Sequence, residues 1–287
     1  MRHAFANGWV LLVCLLAGFI SPPALAQQRI ISLGGDVTEI LYALGAGDRI
    51  AATDSTSVFP EAANATPKVG YVRQLSAEGV LSARPDLILI SGAAGPEPAV
   101  EQIRGTGVPI VEMPATYTIA SILTKIERIA AAVDAEEEGA ELIAKVQGDW
   151  QRARGELARL DDDQKMLFFA TLTDGAPRAA GRETAADGVI RLLGGTNVFS
   201  GSSGYDGLSA EAAIAANPDV ILVMEHHAAR VGGLDAVKTH PVIAYTRAGR
   251  QGNIIPVDPV SVMQFGPRTP GAVLALARKI KADTASE

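Results

Sequence analysis

The chain has 287 residues, of which 48% are hydrophobic, 20% are charged and only 5% are aromatic, and its formal net charge is −7. This composition excludes an intrinsically disordered chain, a collagen-like chain and a polytopic membrane protein, and the length suits one large domain or two modest ones. The acidic balance also argues against a nucleic-acid partner.

The first 26 residues have the layout of a secretory signal peptide. Arg2 and His3 precede an uncharged run at 9–20, and the segment ends in the small-residue motif Ala24-Leu25-Ala26. The run is shorter than the ~20 apolar residues of a membrane-spanning helix. We expect cleavage before Gln27, which leaves a soluble chain with 24 basic and 32 acidic side chains.

The only cysteine, Cys14, lies inside that run. A lipid-anchor cysteine would stand at the cleavage site, and Cys14 is well before it. We therefore expect the mature chain to have no thiol, disulfide or thiolate metal ligand, and to be held together by its core.

Short β-rich runs alternate with helical stretches along the rest of the chain. We expect strands at residues 30–33, 50–53, 87–91 and 110–113 in the first half, and at 166–172, 220–224 and 253–257 in the second. This alternation predicts an α/β fold with parallel sheets and crossover helices.

An internal repeat divides the chain into two halves. Residues 75–90 recur as residues 208–223, and in both copies an aspartate after a proline, Asp86 or Asp219, stands at the start of an apolar run. The proline ends the preceding helix, so the apolar run is a predicted strand. The repeat predicts two similar lobes.

Between the halves, residues 119–160 contain no proline and carry apolar side chains at helical spacing. A helix of about 25 residues from Ala135 would be about 38 Å long at 1.5 Å per residue. The expected organisation is an N-terminal lobe at 27–134, one rigid connecting helix at 135–160 and a C-terminal lobe at 161–287.

Motifs for catalysis are missing. Gly34-Gly35-Asp36 follows a predicted strand, but neither G-x-G-x-x-G nor G-K-[ST] is present, so a tight strand-to-helix turn is the better interpretation. There is no G-x-S-x-G motif either. We expect no enzymatic activity, and an enzyme stays a distant alternative.

Metal binding by histidines is the other distant alternative. His226, His227 and His240 are the histidines of the mature chain. Adjacent residues of an extended segment point to opposite faces, which argues against one ion held by both His226 and His227. His240 precedes Pro241 in a predicted turn, so loop histidines at the surface are the simpler interpretation.

One tyrosine carries a more specific signal. Tyr71 lies in the segment VGYVRQLSAEG at 69–79, and in extended backbone it shares a face with Arg73. A ferric ion and a guanidinium both favour phenolate, and tyrosinate is an established haem-iron ligand. The alternative is a tyrosine packed at the edge of a lobe beside a solvated arginine.

The chain resembles the periplasmic haem-binding proteins of bacterial haem-uptake ABC transporters. The similarity extends from RIISLGGDVTEI at 29–40, through 69–79, to FGPRT at 265–269. The G-Y-x-R-Q-L-S-A-E segment is its specific part. The two-lobe pattern by itself would also fit a binder of cobalamin or of a ferric siderophore.

The resemblance implies a function as well as a fold. It implies that Tyr71 ligates ferric haem between two lobes joined by a long helix. The expected partners are an inner-membrane ABC permease, which receives the haem, and an outer-membrane haem receptor, which supplies it.

Further binding residues follow from the chemistry of haem. Its anionic propionates require cations, for which the candidates are Arg73, Arg182, Arg230 and Arg268. Its faces require apolar cover, for which the candidates are Tyr117, Met224, Met263 and Phe265. Because His226 and His227 follow a predicted parallel strand, they compete as ligands of the iron or of a second stacked haem.

A pair of glutamates repeats with the two lobes. Ser76 and Ser209 are predicted helix N-caps, with Glu78 and Glu211 in the first turns. In the resembled family such glutamates meet arginines of the permease. The alternative is stabilisation of the helix dipole by ~0.3–1 kcal/mol each.

Overall fold

The structure is a computed structural model that describes residues 28–158, 163–172 and 177–284. The predicted signal peptide lies outside these residues. In the described part of the chain, no helix is both long enough and apolar enough to cross a membrane.

Two sheets form the centres of the two lobes. In chain order the strands are β1 (Ile30–Leu33), β2 (Ile50–Thr53), β3 (Gly70–Tyr71), β4 (Gln74–Leu75), β5 (Leu87–Ile90), β6 (Ile110–Glu112), β7 (Lys165–Thr171), β8 (Arg178–Ala180), β9 (Thr196–Asn197), β10 (Tyr205–Gly207), β11 (Val220–Met224) and β12 (Ile254–Val257). The first sheet is parallel throughout, in the order β2-β1-β5-β6, as expected.

The second sheet has the order β10-β8-β7-β11-β12, with β9 beside β7. Strands β7, β9, β11 and β12 pair in parallel, whereas β8 and β10 are antiparallel. The expectation of parallel pairing is therefore wrong at this edge. Only six residues separate β7 from β8, which is too short for a crossover connection.

Helices cover both sheets. They are α1 (Gly35–Ala43), α2 (Ala77–Ser82), α3 (Glu97–Arg104), α4 (Ile119–Ala132), α5 (Glu136–Leu157), α6 (Ala185–Leu192), α7 (Ala210–Ala216), α8 (Glu225–Arg230), α9 (Leu234–Thr239), α10 (Pro241–Ala244), α11 (Arg247–Gln251), α12 (Pro259–Val262) and α13 (Thr269–Thr284). Every residue of β1 and β5 is buried, which is typical of parallel strands between helical layers.

The sequence repeat corresponds to a crossover helix followed by a central strand, α2–β5 in one lobe and α7–β11 in the other. The Asp86 carboxylate accepts a hydrogen bond of 2.9 Å from the Arg29 amide, beside the start of β1. The equivalent Asp219 accepts one of 3.0 Å from the Lys165 amide, at the start of β7. The repeated aspartate therefore joins the start of its strand to the neighbouring strand.

The connecting segment forms two helices. Helix α4 ends at Ala132, and Asp134 has a φ of 56°, which interrupts helical geometry before α5 begins at Glu136. Helix α5 has 22 residues and is therefore about 33 Å long. It packs against α4 on one side and against α13 on the other. The lobe boundaries at 134 and 161 remain predictions.

A buried ion pair lies where the lobes meet. The Lys125 ammonium of α4 donates to Asp36 of α1 at 2.6 Å, and the two side chains are 3% and 6% exposed. The same ammonium donates to the carbonyl of Phe265, in the C-terminal lobe, at 3.3 Å. One cation therefore satisfies acceptors from both lobes.

Two further polar contacts cross the same interface. Arg268 pairs with Glu39 of α1 at 3.1 Å, and burial raises the pKa of Glu39 although Arg268 opposes the shift. The side-chain amide of Gln264 donates a hydrogen bond to the backbone carbonyl of Thr56 at 2.9 Å. Residues 264–268 are thus fastened to the N-terminal lobe at three places.

We expect the Lys125→Met substitution to destabilise the protein by about 3–5 kcal/mol, because it leaves the Asp36 carboxylate buried without its cation. Urea denaturation measures the change. The control is Lys145→Met, which breaks an exposed pair with Asp149 and should cost about 0.5 kcal/mol or less. Equal losses in the two variants would contradict a bridging role for Lys125.

Candidate functional site

A cleft of about 700 Å³ lies between the lobes. One wall is formed by the carboxyl ends of β1 and β5 with the β3–β4 hairpin, and the other by β8, β10 and the start of α8. Parallel sheets bind ligands at their carboxyl edges, and this volume falls within the ~300–1,000 Å³ of ligand pockets. The cleft is the candidate binding site.

Tyr71 and Arg73 line the cleft from a hairpin. Gly70 pairs with Leu75 and Tyr71 pairs with Gln74, so Val72 and Arg73 form a two-residue turn. The expectation that Tyr71 and Arg73 share one face of an extended strand is therefore wrong. Both nevertheless reach the cleft, and Tyr71 is 41% exposed.

Two other tyrosines line the same cleft. Burial raises the pKa of Tyr117, and it raises the pKa of Tyr205 to about 12. The positive charge of Arg73 acts in the opposite direction on both phenols, which shows that Arg73 lies close to them. Tyr117 and Tyr205 are therefore poor sources of phenolate.

His226 and His227 form the start of α8 on the opposite wall. Because they are helical, their rings lie side by side, with centroids 4.3 Å apart, so the expectation that they point to opposite faces is wrong. Burial, reinforced by His226 and Arg230, lowers the pKa of His227. Among the described residues, no group of three or more His, Cys, Asp or Glu could hold a metal ion.

Three of the four arginines expected at the site do not line the cleft. The Arg182 guanidinium donates to the carbonyls of Ser200 and Gly201. Arg230 is exposed at the end of α8. Arg268, besides its pair with Glu39, lies 3.4 Å above the Phe59 ring.

An arginine that the sequence did not indicate lines the cleft instead. Arg178 begins β8, and its guanidinium donates to the backbone carbonyl of Tyr205 in β10. The sequence does not indicate Arg178 because residues 178–180 have no apolar alternation that would predict a strand, and because β8 and β10 become neighbours only through antiparallel pairing.

Met224, Met263 and Tyr117 line the cleft, as expected for apolar cover. Phe265 does not: it is fully buried beneath Tyr117, with ring centroids 5.3 Å apart at an interplanar angle of 61°. Phe265 therefore supports the floor of the cleft from below instead of facing a ligand.

The predicted caps are present in both lobes. The Ser76 hydroxyl accepts from the Gly79 amide, and the Ser209 hydroxyl accepts from the Ala212 amide. Glu78 and Glu211 are exposed in the first turns of α2 and α7. Hydrogen bonds from its own backbone and from Ser209 lower the pKa of Glu211. Both carboxylates are therefore available at equivalent points of the two lobes.

Comparison with known proteins places the chain in a family. Residues 30–260 match the model of the periplasmic binding proteins. The chain belongs to the periplasmic binding protein family.

The chain is also similar to individual solved structures and curated relatives. The chain is 38% identical to a periplasmic haem-binding protein, BhuT, in complex with two haems, over 90% of this chain and 99% of that one, with a TM-score of 0.85. It is 37% identical to apo RhuT from Roseiflexus sp. RS-1, another periplasmic haem-binding protein, over the same shares, with a TM-score of 0.82. It is 29% identical to a vitamin B12-binding protein of Vibrio campbellii, over 73% of this chain and 74% of that one.

We expect Gly188→Ala to destabilise the protein by about 1–3 kcal/mol, because a methyl group added where side chains are already closely packed strains them. A Cβ at Gly188 would lie 2.6 Å from the Tyr117 Cβ and 2.8 Å from the Phe265 ring, at the floor of the cleft. Gly271→Ala in α13 is the control: nothing lies within 4 Å of its Cβ, so it should stabilise by about 0.5–1 kcal/mol. Thermal unfolding of both variants tests the contrast, and stabilisation by Gly188→Ala would contradict it.

Proposed function

We propose that this periplasmic binding protein holds ferric haem between its lobes and delivers it to an inner-membrane ABC permease. The observation that carries the proposal is the phenol of Tyr71, which is exposed on the cleft wall at a hairpin tip. The similarity to two periplasmic haem-binding proteins supports the choice of ligand. The protein acts in the periplasm as a carrier and performs no chemistry on its cargo.

Tyr71 is the proposed ligand of the iron. Burial raises the pKa values of the other two cleft tyrosines, Tyr117 and Tyr205, because a phenolate at either position would lose its solvation. Tyr71 is 41% exposed, and tyrosinate is an established axial ligand of ferric haem. Arg73, in the turn of the same hairpin, supplies a positive charge that favours a phenolate at Tyr71.

His226 and His227 are the proposed ligands on the opposite wall. Burial lowers the pKa of His227, which favours the neutral ring, and a neutral imidazole can bind iron without first losing a proton. Either ring would complete the coordination of one haem or ligate a second haem stacked on the first. BhuT, which binds two haems, makes the second arrangement a specific candidate.

Delivery requires a docking surface, for which we propose Glu78 and Glu211. Each carboxylate is exposed at the start of the crossover helix of its lobe, so both lobes present the same acidic feature to one partner. Arginines of a permease would complement these charges. The haem itself would be supplied by an outer-membrane receptor.

Cobalamin is the second candidate ligand, because a vitamin B12-binding protein is 29% identical to this chain. On this alternative Tyr71 would contact the ligand without ligating its metal. The two haem-binding structures are more similar in sequence and cover more of the chain. Haem is therefore the better supported cargo.

We expect purified protein to give, on addition of hemin, the charge-transfer bands of high-spin tyrosinate-ligated ferric haem. Tyr71→Phe should abolish these bands and weaken binding by about tenfold or more, which corresponds to ~1.4 kcal/mol. Some binding should persist, since burial of apolar porphyrin surface contributes ~25 cal/mol per Å². Visible spectroscopy during a hemin titration measures both effects.

The control for this experiment is Tyr245→Phe, since Tyr245 is 67% exposed and does not line the cleft. Its spectrum should match the unsubstituted protein. If Tyr71→Phe leaves the spectrum unchanged while His226→Ala or His227→Ala alters it, the assignment of the primary ligand is wrong. If the protein binds cyanocobalamin and not hemin, the haem proposal is wrong.

We expect the double substitution Glu78→Ala and Glu211→Ala to leave hemin affinity unchanged and to abolish haem uptake into vesicles that contain the cognate permease. The control is Glu138→Ala with Glu141→Ala, two exposed acids of α5 that give the same change in charge. Uptake should be normal in the control. Normal uptake with the Glu78 and Glu211 variant would refute the docking role.

A further inference from the structure

The cleft concentrates positive charge in an acidic protein. The whole chain has a formal charge of −7, but the charged side chains of the cleft lining are Asp36, Lys125, Arg73 and Arg178. Asp36 and Lys125 neutralise one another in their buried pair. Among the described residues of the lining, two guanidinium charges therefore remain without an acidic counterpart.

The two guanidinium groups belong to opposite lobes. Arg73 is exposed at the hairpin of the N-terminal lobe, and Arg178 is exposed at the start of β8 in the C-terminal lobe. The described residues form ten ion pairs, and neither Arg73 nor Arg178 takes part in any of them. A ligand in the cleft would meet one cation from each wall.

Tyr205 lies beside both arginines. Its backbone carbonyl accepts a hydrogen bond from the Arg178 guanidinium, and its phenol lies near Arg73, whose positive charge acts to lower the pKa of Tyr205 against the effect of burial. A guanidinium has five N–H donors, so the contact with Tyr205 leaves most donors of Arg178 available. The group is oriented before a ligand arrives, which reduces the entropy lost on binding.

Other cations are not available for the same task. Arg182 and Arg268 are held by partners elsewhere, as described above. Among the described residues of the lining, the arginine and lysine charges that have no acidic partner are therefore those of Arg73 and Arg178.

We propose that Arg178 and Arg73 form a carboxylate clamp that makes the cleft selective for a dianionic tetrapyrrole over its neutral ester and amide relatives. The inference rests on the proposed function and names the feature of the cargo that this site recognises. Arginine binds carboxylates through short, charge-assisted and bidentate hydrogen bonds. An ester or an amide has no charge to complement, so it leaves the two guanidinium groups desolvated without compensation.

The test compares hemin with hemin dimethyl ester, which keeps the iron and the ring and removes both charges. We expect the unsubstituted protein to bind hemin at least about tenfold more tightly than the ester. Arg178→Gln should lower hemin affinity by about tenfold, leave ester affinity unchanged, and keep the tyrosinate bands that show an intact iron site. Arg178→Lys should retain part of the preference, because it keeps the charge and loses the bidentate geometry.

Arg182→Gln is the matched control, since it removes one exposed arginine from the same lobe outside the cleft lining. It should change neither affinity. If hemin and its ester bind equally and Arg178→Gln has no effect while the tyrosinate bands persist, the clamp is wrong and the haem carrier stands. If hemin does not bind the unsubstituted protein, both proposals fail together.

Discussion

The Lys125 ammonium fixes the relation between the two lobes. It lies almost without solvent between the Asp36 carboxylate and the Phe265 carbonyl, and a buried charge requires all its partners in place. Separation of the lobes would deprive the ammonium of the Phe265 carbonyl and expose the apolar floor around Tyr117. The width of the cleft therefore depends on a contact that is costly to break.

Motion of the lobes is restricted accordingly. Helix α5 packs on α4 and α13, and one cluster of buried apolar side chains extends from α1 and α4 to α6 and α13. Wide closure would require this shared core to be disrupted, whereas a small hinge or shear displacement would not. The exposed side chains that line the cleft lie at the edge of each wall, on the β3–β4 hairpin and the β8–β10 pair.

Local sequence patterns predict most of the fold. The features that they do not predict depend on contacts between residues far apart in the chain. The strands at 30–33, 50–53 and 220–224 have the predicted bounds because buried parallel strands are short apolar runs between turns. The repeat can be recognised in the sequence because Asp86 and Asp219 have the same structural role, in which each accepts a hydrogen bond from the backbone of the neighbouring strand. The Lys125–Asp36 pair joins residues 89 positions apart, and Arg178 reaches the cleft through an antiparallel edge, so no local pattern indicated either one.

The three cleft tyrosines show how the same side chain acquires different roles from its surroundings. Burial raises the pKa of Tyr205 to about 12, so its phenol stays neutral beside Arg73, while its backbone carbonyl holds Arg178. Tyr117 is covered and rests on Phe265, where it closes the floor. Tyr71 stands next to the hairpin turn, where Val72 is buried and Tyr71 itself is 41% exposed, so it is the cleft tyrosine that we propose as the metal ligand. On the proposed assignment, the Tyr71 phenol would face the iron while Arg73 and Arg178 would face the carboxylates, so that an acidic protein could bind an anionic iron complex.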